Sequence, residues 1–345
     1  MKIIYCIALG LLLGCSPHEQ SLARIEGKTM GTTYHISYKP VQQESGDLKD
    51  GPSKMKAEID SLLVAFNNSV STYIPASTIS AVNGTDTLIV VDTWFTNVFK
   101  RAREVSDNTG GAFDVTVMPL VNGWGFGYTD TIRMDSAIVD SLRQLVDYHN
   151  VSLSETDGKF MVHKKDKRIQ VDFSAIAKGY GVDVVAQLLE QKGIEDYMVE
   201  IGGEVRARGK NEKNENWEIG IEKPIDDPSP AAHELKGILR LENKSLATSG
   251  NYRNFYYKNG KKVSHEIDPK TGYPSLNNLL SVTVIAGDCM TADAYATAFM
   301  VMGLDKTLQY LQQDTTLNAY LIYADENGDM KTSYTKGAAA MLKPE

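Results

Sequence analysis

The sequence predicts an α+β fold with mixed or antiparallel sheets and interspersed helices. Three observations point there. Segments with strand-like alternation outnumber those with helical periodicity. The helices fall between strands without the strict alternation of a doubly wound sheet. No fixed-period repeat and no second membrane span divides the chain. At ~150 residues per domain, 345 residues allow two domains, but α+β chains of this size also form one unit. A formal charge of −8, without a run of Lys or Arg, argues against a nucleic-acid footprint, which needs a basic face to neutralise phosphates. A small molecule or another protein is the expected partner.

Residues 1–15, "MKIIYCIALGLLLGC", hold one Lys and an apolar run far short of the ~20 residues that cross a bilayer. They read as a secretory signal peptide. Leu12-Leu13-Gly14-Cys15 resembles a bacterial lipobox, which implies cleavage before Cys15, acylation of its thiol and a lipid anchor on the extracytoplasmic (periplasmic) side of a bacterial membrane. An ordinary signal peptide that happens to hold a cysteine is the alternative. Cys6 leaves with the signal, so Cys289 alone remains, in an apolar stretch that suits a buried, inert thiol. Residues 16–24 read as a tether and 25–345 as the folded domain.

Along that domain, "MGTTYHISYKP" alternates as a strand and 41–54 is a polar loop. Ile59, Leu62, Leu63 and Phe66 keep a helical period until Pro75 and Gly84 interrupt it. A second helix is expected over 93–107, ahead of Gly110-Gly111, and "AFDVTVMPL" alternates as a strand that Pro119 stops. Further strands are expected at 169–173, 197–201, 204–208, 217–221, 237–242, 280–286 and 318–323, and helices at 134–147, 175–191, 291–302 and 305–312.

Five places concentrate chemistry. In "TADAYATAFMVMG", Asp293 and Thr297 lie one turn apart on an alanine-rich helix. Two readings are open: first-turn capping, with Thr291 as N-cap, or a hard-cation site, since carboxylate and hydroxyl oxygens four residues apart point the same way and suit Mg²⁺. In "VDFSAIAKGYGVD", Lys178 sits near the positive end of a helix dipole, where a cation wants an anion nearby. Exposed amides and the small residues Ala175, Ala177 and Gly179 would admit a phosphate; a solvated Lys on an amphipathic helix is the other reading. "GGAFDVT" puts Asp114 just after a glycine pair, and Gly202-Gly203 joins two strands. In "SHEIDPKTGYP", His265 precedes an Asp268-Pro269 turn, as a structural residue or as a base.

Together these stretches resemble the ApbE proteins, FAD:protein FMN transferases, many of them lipoproteins. The match runs in order through "MGTTYHISY", "STYIPASTIS", "GGAFDVTVMPLVNGWGFG", "DFSAIAKGYGVD", "VEIGGEVRARG", "ATSGNYRNFY", "SHEIDPKTGYP" and "TADAYATAFMVMG", over about residues 25–345. The resemblance implies an ApbE-like fold, FAD as substrate and Mg²⁺ as cofactor. It places Met30, Tyr73, Ala112, Phe113, Asp114, Asp172, Lys178 and Ile267 where the family contacts FAD. It places the Ala175 carbonyl and the side chains of Asp293 and Thr297 where the family binds Mg²⁺. Some relatives carry Trp in place of Tyr73, and others Asp in place of Ala296, so a second metal contact is in question. The implied reaction moves FMN from FAD to a threonine hydroxyl of a partner, such as a subunit of a membrane redox pump, and releases AMP, with His265 as candidate base. An FAD pyrophosphatase giving FMN and AMP, and a non-catalytic FAD-binding lipoprotein, are the alternatives.

Overall fold

The computed structural model describes residues 21–41, 51–85, 88–127, 134–225, 234–251, 255–258 and 261–344. Its strands are β1 (Ala23–Thr29), β2 (Thr32–Tyr38), β3 (Ile89–Val91), β4 (Val151–Thr156), β5 (Lys159–Lys164), β6 (Tyr197–Ile201), β7 (Glu204–Arg208), β8 (Trp217–Glu222), β9 (Leu235–Leu241), β10 (Lys244–Gly250), β11 (Phe255–Lys258), β12 (Lys261–Ser264), β13 (Leu279–Ala286), β14 (Asn318–Ala324) and β15 (Met330–Tyr334). The helices are α1 (Pro52–Val70), α2 (Thr78–Gly84), α3 (Thr93–Asn108), α4 (Met118–Trp124), α5 (Ser136–Arg143), α6 (Ala177–Gln191), α7 (Cys289–Met302), α8 (Leu304–Gln313) and α9 (Lys336–Met341).

The core is an eight-stranded sheet in the order β1-β2-β6-β7-β10-β13-β14-β15. Every neighbouring pair in it is antiparallel. β2 pairs directly with β6, so residues 39–196 form one long excursion that carries α1 to α6 and the small β3-β5-β4 sheet. One sheet face lies under α6 and α7, with α1 beside α6 over β1 and α3 outside α7. The other face, including Val205, Ala207, Leu246 and Ile285, is covered by Trp217, Leu239 and Leu241 of the β8-β9 hairpin and by Ala338 of α9. α7 is buried nearly all round, and Ala292, Ala294, Ala296 and Ala298 are each fully buried. A helix apolar on every face belongs in the centre of a layered domain.

The α+β expectation holds, and helices 93–107 and 175–191 and strands 197–201 and 204–208 lie where they were expected to within two residues. The "AFDVTVMPL" strand is wrong. Gly110 and Gly111 take left-handed φ of 57° and 79°, and Asp114 turns back on its own backbone at Thr116. Pro119 then sits in the first turn of α4, where its missing N–H costs nothing. Asx-type bonding competes with a strand ladder, and here it wins. The 169–173 strand is also wrong: Val171 joins no strand, and its amide donates to the side chain of Asn83 while its carbonyl accepts from that side chain. β1 begins at Ala23, inside the stretch read as tether, and β11, β12, β4, β5 and β15 were not foreseen. Cys289 is buried, as expected. The lipobox and Cys15 lie outside the described residues.

Candidate active site

α6 and α7 meet almost backbone to backbone. A Cβ on Gly179 would stand 2.3 Å from the Cys289 carbonyl oxygen and 2.7 Å from Asp293 Cβ. In a regular helix the Gly179 N–H would aim at the carbonyl of Ala175, four residues back. It donates instead to Asp293 Oδ2 across the helix contact, at 2.9 Å.

Capping does not explain Asp293. The N-cap of α7 is Asp288, which accepts from the Thr291 amide at 2.8 Å and the Thr291 hydroxyl at 2.9 Å. The expected Thr291 cap is therefore wrong by three residues, because an aspartate lay upstream with the better capping geometry. The amides of Cys289 and Met290 donate to Asp183 of α6 at 3.0 and 2.8 Å, and Arg206 donates to the same carboxylate at 2.9 Å. Asp183 and Asp288 thus occupy the first amides of α7, and Asp293 falls in the second turn.

Asp293 belongs instead to a buried charge cluster. Lys178, second residue of α6, pairs with Glu204 Oε1 at the start of β7. Glu204 and Asp293 are each only 3% exposed. Burial pushes the Glu204 carboxyl up to about 7, with Lys178 opposing and Asp293 adding to the rise. Burial raises Asp293 as well, against the pull of Lys178 and of the Gly179 amide. Burial works against the Lys178 ammonium, yet the charges of Glu204 and Asp293 outweigh it and raise its pKa. Fully ionised, the cluster has two carboxylates to one ammonium. Glu204 Oε2 has no hydrogen-bond partner. A buried site with excess negative charge holds either a proton or a cation.

The neighbouring donors are hard oxygens. Thr297 Oγ1, one turn beyond Asp293, lies 3.3 Å from Ser249 Oγ on β10, and Ala175 lies in the turn that leads into α6. No group of three or more His, Cys, Asp or Glu suited to a metal occurs among the described residues. One carboxylate, one hydroxyl and one carbonyl fit Mg²⁺, which keeps waters and completes its shell from substrate phosphates. They do not fit Zn²⁺, which takes nitrogen and sulfur ligands.

A second group surrounds His265, just past β12. Its ring packs edge-on to Phe126 at 6.2 Å, Phe126 meets Tyr256 at 5.3 Å, and Trp124 meets Tyr273 at 5.8 Å. The loop that follows is tied by Ser275 N–H to the Glu266 carbonyl at 2.7 Å, Asp268 N–H to the Tyr273 carbonyl at 2.9 Å, and Trp124 Nε1–H to the Gly272 carbonyl at 2.8 Å.

The ApbE family model matches residues 30–321. A protein of Haemophilus influenzae named FAD:protein FMN transferase is 38% identical, over 99% of this chain and 96% of its own length. The chain belongs to the ApbE family. A Vibrio cholerae protein of the same name is 40% identical, over 99% of this chain and 98% of its own. The solved flavin transferase ApbE of Vibrio cholerae superposes with a TM-score of 0.81 at 35% identity, covering 93% of this chain and 99% of that one. The flavinyl transferase ApbE of Pseudomonas stutzeri superposes at 0.80 and 28%, covering 93% and 97%.

In this ApbE-family chain the residues assigned to FAD are unevenly placed. Met30, at φ 49° in the β1–β2 turn, reaches α6 three residues past Lys178, where a Cβ on Gly181 would meet its Cε at 2.6 Å. Asp172 precedes the same helix, accepts from the amide and hydroxyl of Ser174, and is raised by burial. Its amide donates to the Val115 carbonyl at 2.8 Å, which ties the 110–116 turn to α6. Ala112 is half-buried in that turn, and Tyr73 is 67% exposed. Phe113 and Ile267 are core residues, so their backbones rather than their side chains can face a ligand. Asp114 is occupied by the Thr116 amide and hydroxyl and by the Tyr148 amide; burial raises it.

Sequence reasoning named Gly179 only as a small residue beside Lys178 and missed Glu204 and Asp183, which the fold packs into the same cluster of charges. A signal existed for Glu204: it alternates with Arg206 and Arg208 along β7, so three charges share one face. That face lies against α6, where Arg206 pairs with Asp183 and both arginines pair with Glu190.

Proposed function

We propose that this chain transfers FMN from FAD to a threonine hydroxyl of a partner protein and releases AMP in an Mg²⁺-dependent reaction. The observation that carries the reading is the buried cluster itself: Asp293, fixed by the Gly179 amide, adds to an excess of negative charge beside Lys178, with Thr297 one turn away. Relatives of nearly equal length that are 38% and 40% identical bear the name of this activity. When held by Asp293, Thr297 and the Ala175 carbonyl, Mg²⁺ would supply charge neutralisation for the pyrophosphate as AMP leaves. Lys178 and the first amides of α6 bind the pyrophosphate oxygens, the Lys178 ammonium exchanging part of its pairing with Glu204 for phosphate. His265 takes the proton of the incoming hydroxyl, since a neutral hydroxyl is a weak nucleophile. Tyr73, exposed, offers an aromatic surface to a flavin or adenine ring.

The acceptors on this reading are threonine-bearing extracytoplasmic proteins, including subunits of membrane redox pumps, and the chain itself is held at the membrane through acylated Cys15. No helix among the described residues is long and apolar enough to cross a membrane. Cys15→Ser should leave the protein in the soluble extracytoplasmic fraction with its in vitro activity intact; retention of that variant in carbonate-washed membranes rejects the anchor.

The deciding experiment incubates the chain without residues 1–15 with FAD, Mg²⁺ and an acceptor domain. Intact-protein mass spectrometry should show one added FMN for each AMP released, and none on the acceptor's Thr→Ala form. AMP without a mass gain on several acceptors would make the chain an FAD pyrophosphatase. Tight FAD binding without AMP would make it a binding protein.

A further inference from the structure

Glu266 is a buried acid that the reaction as proposed does not use. It is 6% exposed, and neither of its carboxylate oxygens has a hydrogen-bond partner. Leaving a buried carboxylate without donors costs several kcal/mol, so such a group in a native fold calls for a reason. Its backbone is not free to relieve the cost. The Glu266 carbonyl accepts from Ser275, the bridge between Ile267 and Pro274 lies next to it, and the Asp268–Tyr273 turn closes the loop. The polar side-chain atom recorded beside it is Nδ1 of His265, 3.6 Å from Glu266 Oε1. The imidazole also meets the Phe126 ring edge-on, at 6.2 Å between centroids.

We infer that Glu266 is the positioning residue of His265: its carboxylate receives the Nδ1–H, fixes the imidazole tautomer, and leaves Nε2 as the proton acceptor. The inference rests on the reading of His265 as the base. Bases in nucleophilic catalysis are commonly oriented by a third group in this way, and such contacts are often long before substrate binds. In the reaction the threonine oxygen forms its bond to the FMN-side phosphorus while the bond from that phosphorus to the bridging oxygen breaks, and AMP leaves with the electron pair. The hydroxyl proton moves to His265 Nε2. The imidazolium then holds two N–H groups, and the one on Nδ1 draws to the Glu266 carboxylate. The proton later passes from Nε2 to solvent, and the dyad returns to its starting state. The 3.6 Å separation is longer than the ~2.8 Å of a formed charge-assisted bond, so the contact must shorten as the imidazolium forms.

The test compares Glu266→Gln, Glu266→Asp, His265→Ala and the Glu266→Gln/His265→Ala double variant in the chain without residues 1–15, with FAD, Mg²⁺ and a threonine-bearing acceptor domain. Glu266→Gln is isosteric and removes a buried charge, so the fold should persist; Glu266→Asp keeps the charge on a shorter arm. Expected for Glu266→Gln is a fall in kcat for transfer of about 10- to 100-fold, with the KM for FAD unchanged. Glu266→Asp should recover part of that rate. In the His265→Ala background the glutamine substitution should cost nothing further. Imidazole ¹⁵N spectra of the substrate-free protein should show His265 as the Nδ1–H tautomer in the parent chain and a mixture of tautomers in Glu266→Gln.

Three results overturn the inference: a Glu266→Gln rate within twofold of the parent, losses from Glu266→Gln and His265→Ala that multiply, or a raised KM for FAD at unchanged kcat, which would put the carboxylate on the substrate. Unchanged transfer by His265→Ala is a different failure, since it removes the base assignment itself whatever the tautomer spectra show.

Discussion

Asp293 Oδ2 on α7 accepts the backbone amide of Gly179 on α6 at 2.9 Å, so one helix fixes the carboxylate of the next. The bond forms only because Gly179 lacks a Cβ where one would overlap Asp293 and the Cys289 carbonyl. A rigid backbone donor leaves the carboxylate little rotational freedom. Its position is therefore set before any cation or phosphate arrives, which is the preorganisation a charge-stabilising site requires.

Asp293→Asn should reduce AMP release and FMN transfer by several orders of magnitude, with millimolar Mg²⁺ rescuing poorly, because the anionic oxygen is lost while the shape is kept. Thr297→Val should follow the same direction more mildly. Isothermal titration with Mg²⁺ and FAD provides a second reading. Near-parental turnover of Asp293→Asn at limiting Mg²⁺ would remove the metal role from this pair.

Gly179→Ala tests the helix contact by the sign of its effect. In an exposed helix the change would stabilise by ~0.5–1 kcal/mol. Here the added methyl meets backbone at 2.3 Å, and α6 and α7 must separate. Overpacking of this kind costs ~1–3 kcal/mol. Urea denaturation should show the loss, and Mg²⁺-dependent AMP release should fall with it. An unchanged or raised midpoint would mean that the two helices slide apart freely.

The Glu204 carboxyl is raised from 4.5 to about 7 in the folded chain. Between those values the folded protein holds a proton that the unfolded chain has released. Metal-free stability should therefore fall as pH rises from roughly 4.5 to 7, reaching its lower level above the folded value. Glu204→Gln should flatten that slope, as read from melting temperature against pH. Added Mg²⁺ should raise the melting temperature more at pH 8 than at pH 5, since cation and proton compete for one cluster. Parallel pH profiles for the parent and Glu204→Gln would place the proton elsewhere.

Asp183→Ala should destabilise the fold by ~1–3 kcal/mol, because it leaves the first amides of α7 without their acceptor and the Arg206 guanidinium with Glu190 alone. Asp183→Asn, which keeps an acceptor, should lie between. Chemical denaturation measures both, and a loss below ~1 kcal/mol for the alanine variant would mean that water reaches these groups.

Local sequence determined much of this protein. Period and punctuation sufficed for α3, α6, β6 and β7, since each carries enough alternation or helical spacing to set its own backbone. The order of eight motifs announced the family that the 30–321 match bears out. Where a side chain displaced the expected backbone bonds, pattern misled: "AFDVTVMPL" alternates like a strand, but Asp114 and Pro119 bend it into a turn and a helix, and Val171 takes its partners from Asn83, 88 residues away. The site divides the same way. The spacing of Asp293 and Thr297 was visible along one helix, but only packing showed that Asp183 and Asp288 already cap α7, leaving Asp293 free of that duty. Only packing brought Glu204 from β7 to Lys178 on α6 and shut the carboxylate from water. Spacing along a chain fixes what lies on one face of one element; desolvation and charge balance arise between elements, and those decide what a carboxylate is for.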